Sequence, residues 1–461
     1  MHSCCQKYRF RLQIVVLLQE NRVFALHFAR LVVTLYPMRV LLVNTSERTG
    51  GAAVAANRLM ETLKNNGVKA KMLVQKKDSD SLTVVELGNS WLQRMRFLYE
   101  RFCIFMHLRM QRNHLFETDI ANAGADITRL PEYREADVIH LHWINQGMLS
   151  LRSIRKIVAS GKPIVWTMHD AWPATAICHY TKGCKAFTNE CHHCRLLPGN
   201  GSRHDLANRV WRRKMRILEN ANITFVACSR WLEGQARKSR LLQGHTVVSI
   251  PNCIDTRVYC PQDKAEARRK LSLPADKRLL LFVSQRVTDE RKGMSYLIEA
   301  INIIAGQSPE WRENTGIVIL GGHADDYTGQ LPLPIYPLGY IDNEKTIVDA
   351  YNAVDLFVIP SLEDNLPNTI MEALACGVPC VGFKTGGIPE MIDHKRNGYV
   401  AEYRKADDLA RGIKWVFDEA DSESLGKEAV KKVATTYSQN SVALKYIDIY
   451  THATAFKNYR I

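Results

Sequence analysis

The chain has 461 residues, more than one ordinary hydrophobic core organises, so its length predicts two domains. Hydrophobic residues make up 46% and charged residues 24%, which is typical of a soluble globular protein, and no uninterrupted apolar run is long enough for a transmembrane helix. The net charge of +15 favours anionic partners, but no zinc-finger repeat, basic zipper or RNP-type motif accompanies it, so nucleic-acid binding is disfavoured.

The first 37 residues stand apart from the rest of the chain. They carry five basic residues against one acidic residue, and their hydrophobic run lacks a small-residue cleavage site, so they make a poor secretory signal. A buried first strand starts only after Met38. Two interpretations stay open for residues 1–37: an upstream extension or misassigned start, and an amphipathic segment that lies on a membrane surface.

From Met38 onward, short runs rich in Val, Ile and Leu alternate with longer helical runs, the pattern of parallel sheets with crossover helices. The charged stretch from Asp255 to Arg278 divides the strands into two series. We therefore predict an α/β protein with two doubly wound, Rossmann-like parallel sheets. Ligands bind at the carboxyl ends of such strands, so the two sheets should face a central cleft. The predicted strands are 39–43, 69–74, 137–142, 163–168, 223–228, 246–250, 279–284, 316–320, 335–338, 356–359, 379–383 and 398–401.

The predicted domains follow from these series. They are an N-terminal extension (1–37), an N-terminal Rossmann-like domain (38–255), a C-terminal Rossmann-like domain (256–436), and a final helix and tail (437–461) that packs back across the hinge.

One helix in the first domain has an unusual composition. Trp91, Met95, Leu98, Phe102 and Phe105 recur at spacings of four, three, four and three, which gives one apolar stripe, and arginines are interleaved on the other faces. Such a helix either packs its stripe on the sheet or lies on an anionic membrane. Both interpretations remain open.

The segment from Pro360 to Pro379 carries the strongest chemical signal. A predicted strand ends in a polar loop with Asp364, and a helix starting near Asn368 carries Glu372 eight positions later. Helix N-termini offer free N–H groups and a positive dipole end that suit phosphate, while carboxylates accept hydrogen bonds from sugar hydroxyls and ribose diols. Taken alone, Asp364 could equally cap a loop and Glu372 could be an ordinary surface carboxylate.

Two cations follow the first strand of the second series. Arg286 leaves that strand, and Lys292 lies six positions later, next to Gly293 at the start of a helix. Fixed Arg and Lys donors stabilise the charge that develops on a diphosphate leaving group, and this spacing lets both reach one diphosphate. The alternative for this pair alone is a solvated basic loop.

Two glycine pairs follow strands at equivalent points. Gly386 and Gly387 follow the strand at 379–383, and Gly50 and Gly51 follow the first strand of the chain. Adjacent glycines let the backbone approach a ligand and expose N–H groups, although tight turns use the same residues.

As a set, the spaced carboxylates, the Arg…Lys-Gly loop and the paired glycine turns resemble family 4 retaining glycosyltransferases of the GT-B fold. The resemblance runs from Met38 to about Tyr450, and the segment from Ile250 to Asp255 is similar to the family's Pro-Asn-Gly-x-Asp segment. The family usually has Glu where Asp364 stands. The form Asp-Asn-Leu-Pro-Asn-Thr resembles a branch associated with bacterial surface-polysaccharide assembly.

The resemblance implies a role for each motif. Arg286 and Lys292 would hold the diphosphate of a nucleotide-sugar donor, Glu372 its ribose and Asp364 the transferred sugar, while His169 would be the active-site histidine of the N-terminal, acceptor-binding domain. The C-terminal domain would bind the donor, with backbone donors from the glycine pairs Gly50, Gly51, Gly386 and Gly387. The predicted catalytic residues are His169, Arg286, Lys292 and Asp364, and no catalytic metal is expected.

Four cysteines cluster shortly after His169. Cysteines within seventeen residues that end in Cys-x2-Cys have spacing compatible with a structural, tetrahedral zinc ion. Disulfides and plain thiols remain open alternatives. The cysteines are Cys178, Cys184, Cys191 and Cys194.

The predicted function is transfer of a sugar, with retention of anomeric configuration, to a glycan or lipid-linked acceptor in bacterial surface polysaccharide biosynthesis. A GT-B nucleotide-sugar epimerase and a non-catalytic nucleotide- or glycan-binding protein are the alternatives. We expect a cytoplasmic location, with peripheral contact to an anionic membrane at its inner face as a further hypothesis.

Overall fold

A computed structural model describes residues 37–323 and 329–455. The predictions made for the N-terminal extension therefore fall outside the described residues, apart from Pro37. Among the described helices, none has both the length and the apolarity needed to cross a membrane.

The first sheet has seven parallel strands in the order β3-β2-β1-β4-β5-β6-β7. Its central strands are buried on both faces, which explains their continuous runs of Val, Ile and Leu. The strands are β1 (Arg39–Val43), β2 (Lys69–Val74), β3 (Val84–Glu86), β4 (Val138–Leu141), β5 (Ile164–Met168), β6 (Ile223–Ala227) and β7 (Thr246–Ser249).

The second sheet has six parallel strands in the order β10-β9-β8-β11-β12-β13. Its strands are β8 (Arg278–Arg286), β9 (Thr315–Gly322), β10 (Ile335–Gly339), β11 (Leu356–Ile359), β12 (Cys380–Phe383) and β13 (Gly398–Ala401).

Helices cover both faces of each sheet, and each sheet separates two hydrophobic clusters. The prediction of two Rossmann-like, doubly wound parallel sheets is therefore confirmed. The helices are α1 (Gly51–Asn65), α2 (Ser90–His107), α3 (Pro131–Glu135), α4 (Leu151–Ala159), α5 (Leu206–Leu218), α6 (Arg230–Lys238), α7 (Lys264–Lys270), α8 (Met294–Gln307), α9 (Pro309–Asn314), α10 (Glu344–Asn352), α11 (Asn368–Ala375), α12 (Ile388–Met391), α13 (Ala406–Lys414), α14 (Ser422–Thr436) and α15 (Gln439–Ala455).

The last helix, α15, returns to the first sheet after the second sheet is complete. Its tyrosines are buried beside β4 and β5, where the Tyr450 hydroxyl bonds His140 Nδ1 at 2.7 Å and the Tyr446 hydroxyl bonds Thr167 Oγ1 at 2.9 Å. The N-terminal core thus includes residues from the far end of the chain.

Helix α2 lies with its apolar stripe outward. Trp91 and Phe102 are strongly exposed, whereas Glu100 and Arg101 on the opposite face are buried. The interpretation that this stripe packs on the sheet is therefore wrong: Ile104 and polar side chains occupy the inward face instead.

Candidate functional site

The loop after β8 is held directly against the end of β11. Gly293 has φ +74°, and a Cβ there would stand 1.9 Å from the carbonyl oxygen of Pro360, so only glycine fits. This close approach brings Lys292 Nζ to within 2.6 Å of Asp364 Oδ2. The two motifs recognised separately in the sequence therefore meet through an ion pair.

A second cation supports the same carboxylate. Arg291 Nη1 lies 3.6 Å from Asp364 Oδ2 and donates to the Glu363 carbonyl at 2.9 Å. Burial alone would raise the pKa of Asp364, but Lys292 and Arg291 outweigh it and lower that pKa. Arg286, in contrast, is exposed at the end of β8, so Lys292 and Arg291 are the cations in contact with Asp364.

Glu372 is buried near the start of α11 and bonded through both oxygens. Oε1 accepts from Arg58 Nη2 at 2.8 Å, and Oε2 accepts from the Tyr351 hydroxyl at 2.9 Å. Arg58 comes from α1 in the other half of the molecule and also donates to the Tyr259 hydroxyl at 2.9 Å. Burial opposes the charge on Arg58, but Glu372 outweighs it and raises the pKa of the guanidinium. Each carboxylate oxygen has two lone pairs, so acceptor capacity remains for a diol.

The glycine turn after β12 packs against the carboxylate loop. A Cβ on Gly386, which has φ +55°, would lie 1.7 Å from the Asp364 carbonyl oxygen, and the Gly387 N–H donates to that oxygen at 3.2 Å. In this structure the pair therefore shapes the loop that presents Asp364.

The other glycine pair begins α1 and lies beside α11. Gly50 has φ +92°, and the Gly51 carbonyl accepts from Asn368 Nδ2 at 3.0 Å. Asn368 is the first residue of α11, so two helix N-termini from different halves meet through one side chain. Their unpaired N–H groups and positive dipole ends favour an anion between the two halves.

His169 follows β5 and lies next to the carboxylate loop. Its carbonyl accepts from Asn365 Nδ2 at 3.1 Å, and its Nε2 lies 3.0 Å from His142 Nδ1. Burial lowers the pKa of His169 to about 4, so the imidazole is neutral near pH 7. The carboxyl ends of β5 and β11 thus meet across the cleft.

A buried network fixes the segment that follows His169. Asp170 Oδ2 accepts from Trp143 Nε1 at 2.8 Å and from His179 Nδ1 at 2.7 Å, while His179 Nε2 contacts Asp119 Oδ2 at 2.6 Å. Burial alone would lower the pKa of His179, but the two carboxylates outweigh it and raise that pKa to about 10. The protonated imidazole therefore joins two acidic side chains.

The four clustered cysteines are free thiols. Burial raises the pKa of Cys178 and of Cys191 to about 12. Within the described ranges, no group of three or more His, Cys, Asp or Glu side chains is arranged to hold a metal ion. The zinc hypothesis gains no support from this geometry. The loop also carries Tyr180, whose ring lies 4.9 Å from the Arg291 guanidinium carbon.

Further contacts join the two halves close to these residues. Ser229 Oγ donates to Asn365 Oδ1 at 2.5 Å, and the carboxylate of Glu390 accepts from the N–H groups of Arg230 and Trp231 at 2.9 and 2.7 Å, at the start of α6. Sequence reasoning missed these partners, as it missed Arg58, because they come from distant segments that share no local pattern.

Two family models match the chain, one in each half. Residues 49–258 match the model described as Glycosyltransferase Family 4, and residues 277–419 match the model described as Glycosyl transferases group 1.

The curated relatives are also sugar-transferring enzymes by name. The N-acetyl-alpha-D-glucosaminyl L-malate synthase of Bacillus anthracis is 25% identical over 213 residues, which cover 44% of this chain and 53% of that protein. The D-inositol 3-phosphate glycosyltransferase of Thermobispora bispora is 25% identical over 211 residues, which cover 43% of this chain and 49% of that protein. The matched part of the chain spans about half the length of these relatives.

Among solved structures, the fold is similar to that of Anabaena Alr3699/HepE in complex with UDP-glucose. The TM-score is 0.59 at 16% identity, and the match covers 90% of this chain and all of that one. The identity is low, so this likeness speaks for the fold alone. The two halves are thus similar to the domains that these two family models describe, and they are joined in the GT-B fold.

Proposed function

We propose that this protein is a retaining glycosyltransferase that moves a sugar from a nucleotide-sugar donor to a hydroxyl group of an acceptor. The observation that carries the proposal is the contact between Lys292 and Asp364 at the carboxyl ends of the strands of the second sheet. The next residue, Asn365, donates from its side-chain amide to the His169 carbonyl, which follows a strand of the first sheet. Cations and a carboxylate thus lie close to the backbone of His169, where α/β sheets bind ligands. In this scheme residues 38–255 bind the acceptor and residues 256–436 bind the donor.

Lys292 and Arg286 carry the charge of the departing diphosphate. As the bond from the anomeric carbon to the diphosphate breaks, negative charge grows on the phosphate oxygens, and fixed cations there stabilise the transition state more than the ground state. Asp364 accepts hydrogen bonds from hydroxyls of the sugar, and Glu372 accepts them from the ribose diol.

The acceptor oxygen attacks from the face that the diphosphate leaves, and its proton passes to the leaving phosphate. The new bond then has the same configuration as the old one. The protein contributes position and electrostatics rather than a dedicated base. A neutral His169 hydrogen-bonds a sugar hydroxyl near the reacting carbon. Because cationic side chains balance the diphosphate, the scheme gives no catalytic role to a metal.

Uridine diphosphate is the first donor nucleotide to test, because the Anabaena neighbour is described in complex with UDP-glucose. For the acceptor we favour a glycan or lipid-linked glycan of surface polysaccharide assembly. The names of the curated relatives support a second candidate, a small hydroxyl-bearing anion such as malate or an inositol phosphate. The proposed location is the cytoplasm, where free cysteines are kept reduced.

Slow donor hydrolysis tests the proposal without a known acceptor. The purified chain is incubated with UDP-, GDP- and ADP-sugars, and the released sugar and its first-formed anomer are followed by NMR. We expect one donor to be hydrolysed with retention. Hydrolysis of none, or release of the inverted anomer, contradicts the retaining mechanism, and an epimerised donor supports the epimerase alternative.

Lys292→Ala provides the matched comparison. We expect it to lower the hydrolysis rate by about 10²- to 10³-fold, since one electrostatic donor to a developing charge is lost. Lys384→Ala removes an exposed cation from the same half and should leave the rate unchanged. Near-normal turnover by the Lys292 variant counts against the assignment. Metal analysis of the same preparation tests the structural zinc hypothesis separately.

A further inference from the structure

Helix α2 exposes an apolar surface that no part of the proposed reaction uses. Trp91 is 68% exposed, Phe102 59% and Leu98 46%, and Met95 and Met106 are exposed beside them. Met110 and Phe116, just beyond the helix, are exposed as well. Single exposed apolar residues are ordinary, but a contiguous group on one helix indicates an interaction surface.

The geometry of α2 concentrates these side chains on one side. At 100° per residue, the five helical members together with Leu92 and Tyr99 fall within an arc of roughly 120°. Arg94 and Arg96 each lie roughly 40° outside this arc, on opposite edges. The outward face is therefore an apolar strip bordered by guanidinium groups.

The inward face of α2 combines the apolar Ile104 with polar side chains, whose hydrogen bonds fix the orientation of the helix. The buried carboxylate of Glu100 accepts from the N–H groups of Ile120 at 3.1 Å, Ala121 at 2.6 Å and Gly147 at 2.9 Å. Arg101 donates to the Leu115 carbonyl at 2.7 Å. Rotating the helix to bury the strip would break these bonds and leave the Glu100 carboxylate without its hydrogen-bond donors. The strip faces outward because the side chains of the opposite face are hydrogen-bonded to the rest of the domain.

The exposed charges between Gly88 and Phe116 are basic, and the carboxylate of Glu117, which follows, is paired with Lys182 at 2.7 Å. Between Gly88 and Phe116 the acidic side chain is Glu100, which is buried, whereas Arg94, Arg109 and Arg112 are exposed. This strip with its arginine border is the α2 patch. An apolar strip with a cationic border complements the acyl region and the anionic headgroups of a bilayer.

We infer that the α2 patch docks this protein on an anionic lipid bilayer, with Trp91, Leu98 and Phe102 inserted at the interface and the arginines on the headgroups. Two other occupants match the charge less well. Residues 1–37 carry five basic residues and one acidic residue, so they would bring further positive charge to the arginines. A second copy of the chain would bring the same arginines together. The inference does not rest on the proposed function, because binding to vesicles needs neither donor nor acceptor.

Vesicle cosedimentation of the full chain tests this inference. We expect binding to vesicles of phosphatidylcholine with phosphatidylglycerol and at least tenfold weaker binding to phosphatidylcholine alone. Raising the salt concentration from about 0.05 M to about 0.5 M should weaken the binding, because the screening length shrinks. Failure to bind anionic vesicles overturns the inference.

Paired variants separate the α2 patch from other membrane-binding segments. Trp91→Glu with Phe102→Glu should weaken binding at least tenfold, whereas Tyr403→Glu, an exposed aromatic in the other half, should not change it. Arg94→Glu with Arg96→Glu should weaken binding more than Lys427→Glu with Lys431→Glu, which changes the net charge equally on α14. Trp91, Phe102 and Arg94 are exposed and Arg96 is half-buried, so circular dichroism checks the fold of both α2 variants.

Two results overturn the inference even if the full chain binds vesicles. Unchanged binding of the Trp91/Phe102 variant would assign the membrane contact elsewhere, such as to residues 1–37. A wild-type dimer by light scattering that becomes monomeric in that variant would assign the patch to a second copy of the chain.

Discussion

The side chains of Asp364 and Glu372 each contact a cation. Asp364 contacts Lys292 at 2.6 Å, and Glu372 contacts Arg58 at 2.8 Å. The first contact joins two segments of the second domain, whereas the second joins the two halves. Under the proposed function, a donor that binds here would exchange or share these partners, so the same charges would stabilise the fold and recognise the ligand.

The Arg58–Glu372 pair should contribute measurably to stability. Both side chains are largely buried, so Arg58→Ala leaves the Glu372 carboxylate buried without its cation. We expect the free energy of unfolding to fall by about 3 kcal/mol or more, measured by urea denaturation at pH 7. Arg58→Lys keeps the positive charge and should recover part of that loss. Equal stability of wild type and Arg58→Ala would show that the pair does not stabilise the closed arrangement.

Part of this site follows from the sequence. The Lys292 and Asp364 motifs each have a local signature, and their position after strands predicts that they meet. Arg58 has no such signature, because it lies 314 residues before Glu372 and occupies an ordinary helical position. Asn365 lies inside a recognised motif, but its bond to the His169 carbonyl depends on how the halves close.

At the scale of elements, continuous apolar runs predicted the strands well. Buried parallel strands need apolar residues on both faces, so their runs are clear. The prediction missed β3, a three-residue strand at the sheet edge, because three residues show no periodicity. Periodicity also predicted the apolar stripe of α2 but not the direction in which it faces. The spacing of the apolar residues is the same whether the stripe faces inward or, as here, outward.

The ends of β4 and β5 carry buried histidines that make the fold sensitive to acid. Burial lowers the pKa of His140 to about 3 and of His169 to about 4, and puts that of His142 well below its usual value. In the unfolded chain these groups titrate near pH 6.5. Between that pH and pH 4 the unfolded state binds more protons than the folded state, so stability falls as the pH falls.

Urea denaturation at pH 7 and pH 5 measures this effect. Protonation of these buried histidines should lower the free energy of unfolding over that interval, and His140 should account for about 2 kcal/mol of the loss. His140→Gln should therefore show a smaller loss than wild type, by about 2 kcal/mol. His179 has the opposite sign, because its pKa is raised to about 10, and its contribution is lost only as the pH rises toward that value. A wild type equally stable at both pH values contradicts the account.

At the scale of the whole molecule, side-chain contacts and the last helix join the two halves. Asn365 and Glu390 from the second half bond backbone and side-chain groups of the first, and α15 completes the core of the first half. The two-sheet architecture was predictable from the alternation of strands and helices. The way in which the two halves contact each other was not predictable, because it depends on single side chains from distant segments.

Calorimetric titration with UDP and with uridine tests the central claim most directly, since it separates the diphosphate from the nucleoside. We predict that Lys292→Ala weakens UDP binding about tenfold or more and leaves uridine binding unchanged, because the lysine acts on the diphosphate. Glu372→Gln should weaken both ligands about tenfold, because its carboxylate acts on the ribose they share. If wild type binds none of UDP, GDP and ADP, or if both variants bind the nucleotide as tightly as wild type does, the account of this site is contradicted.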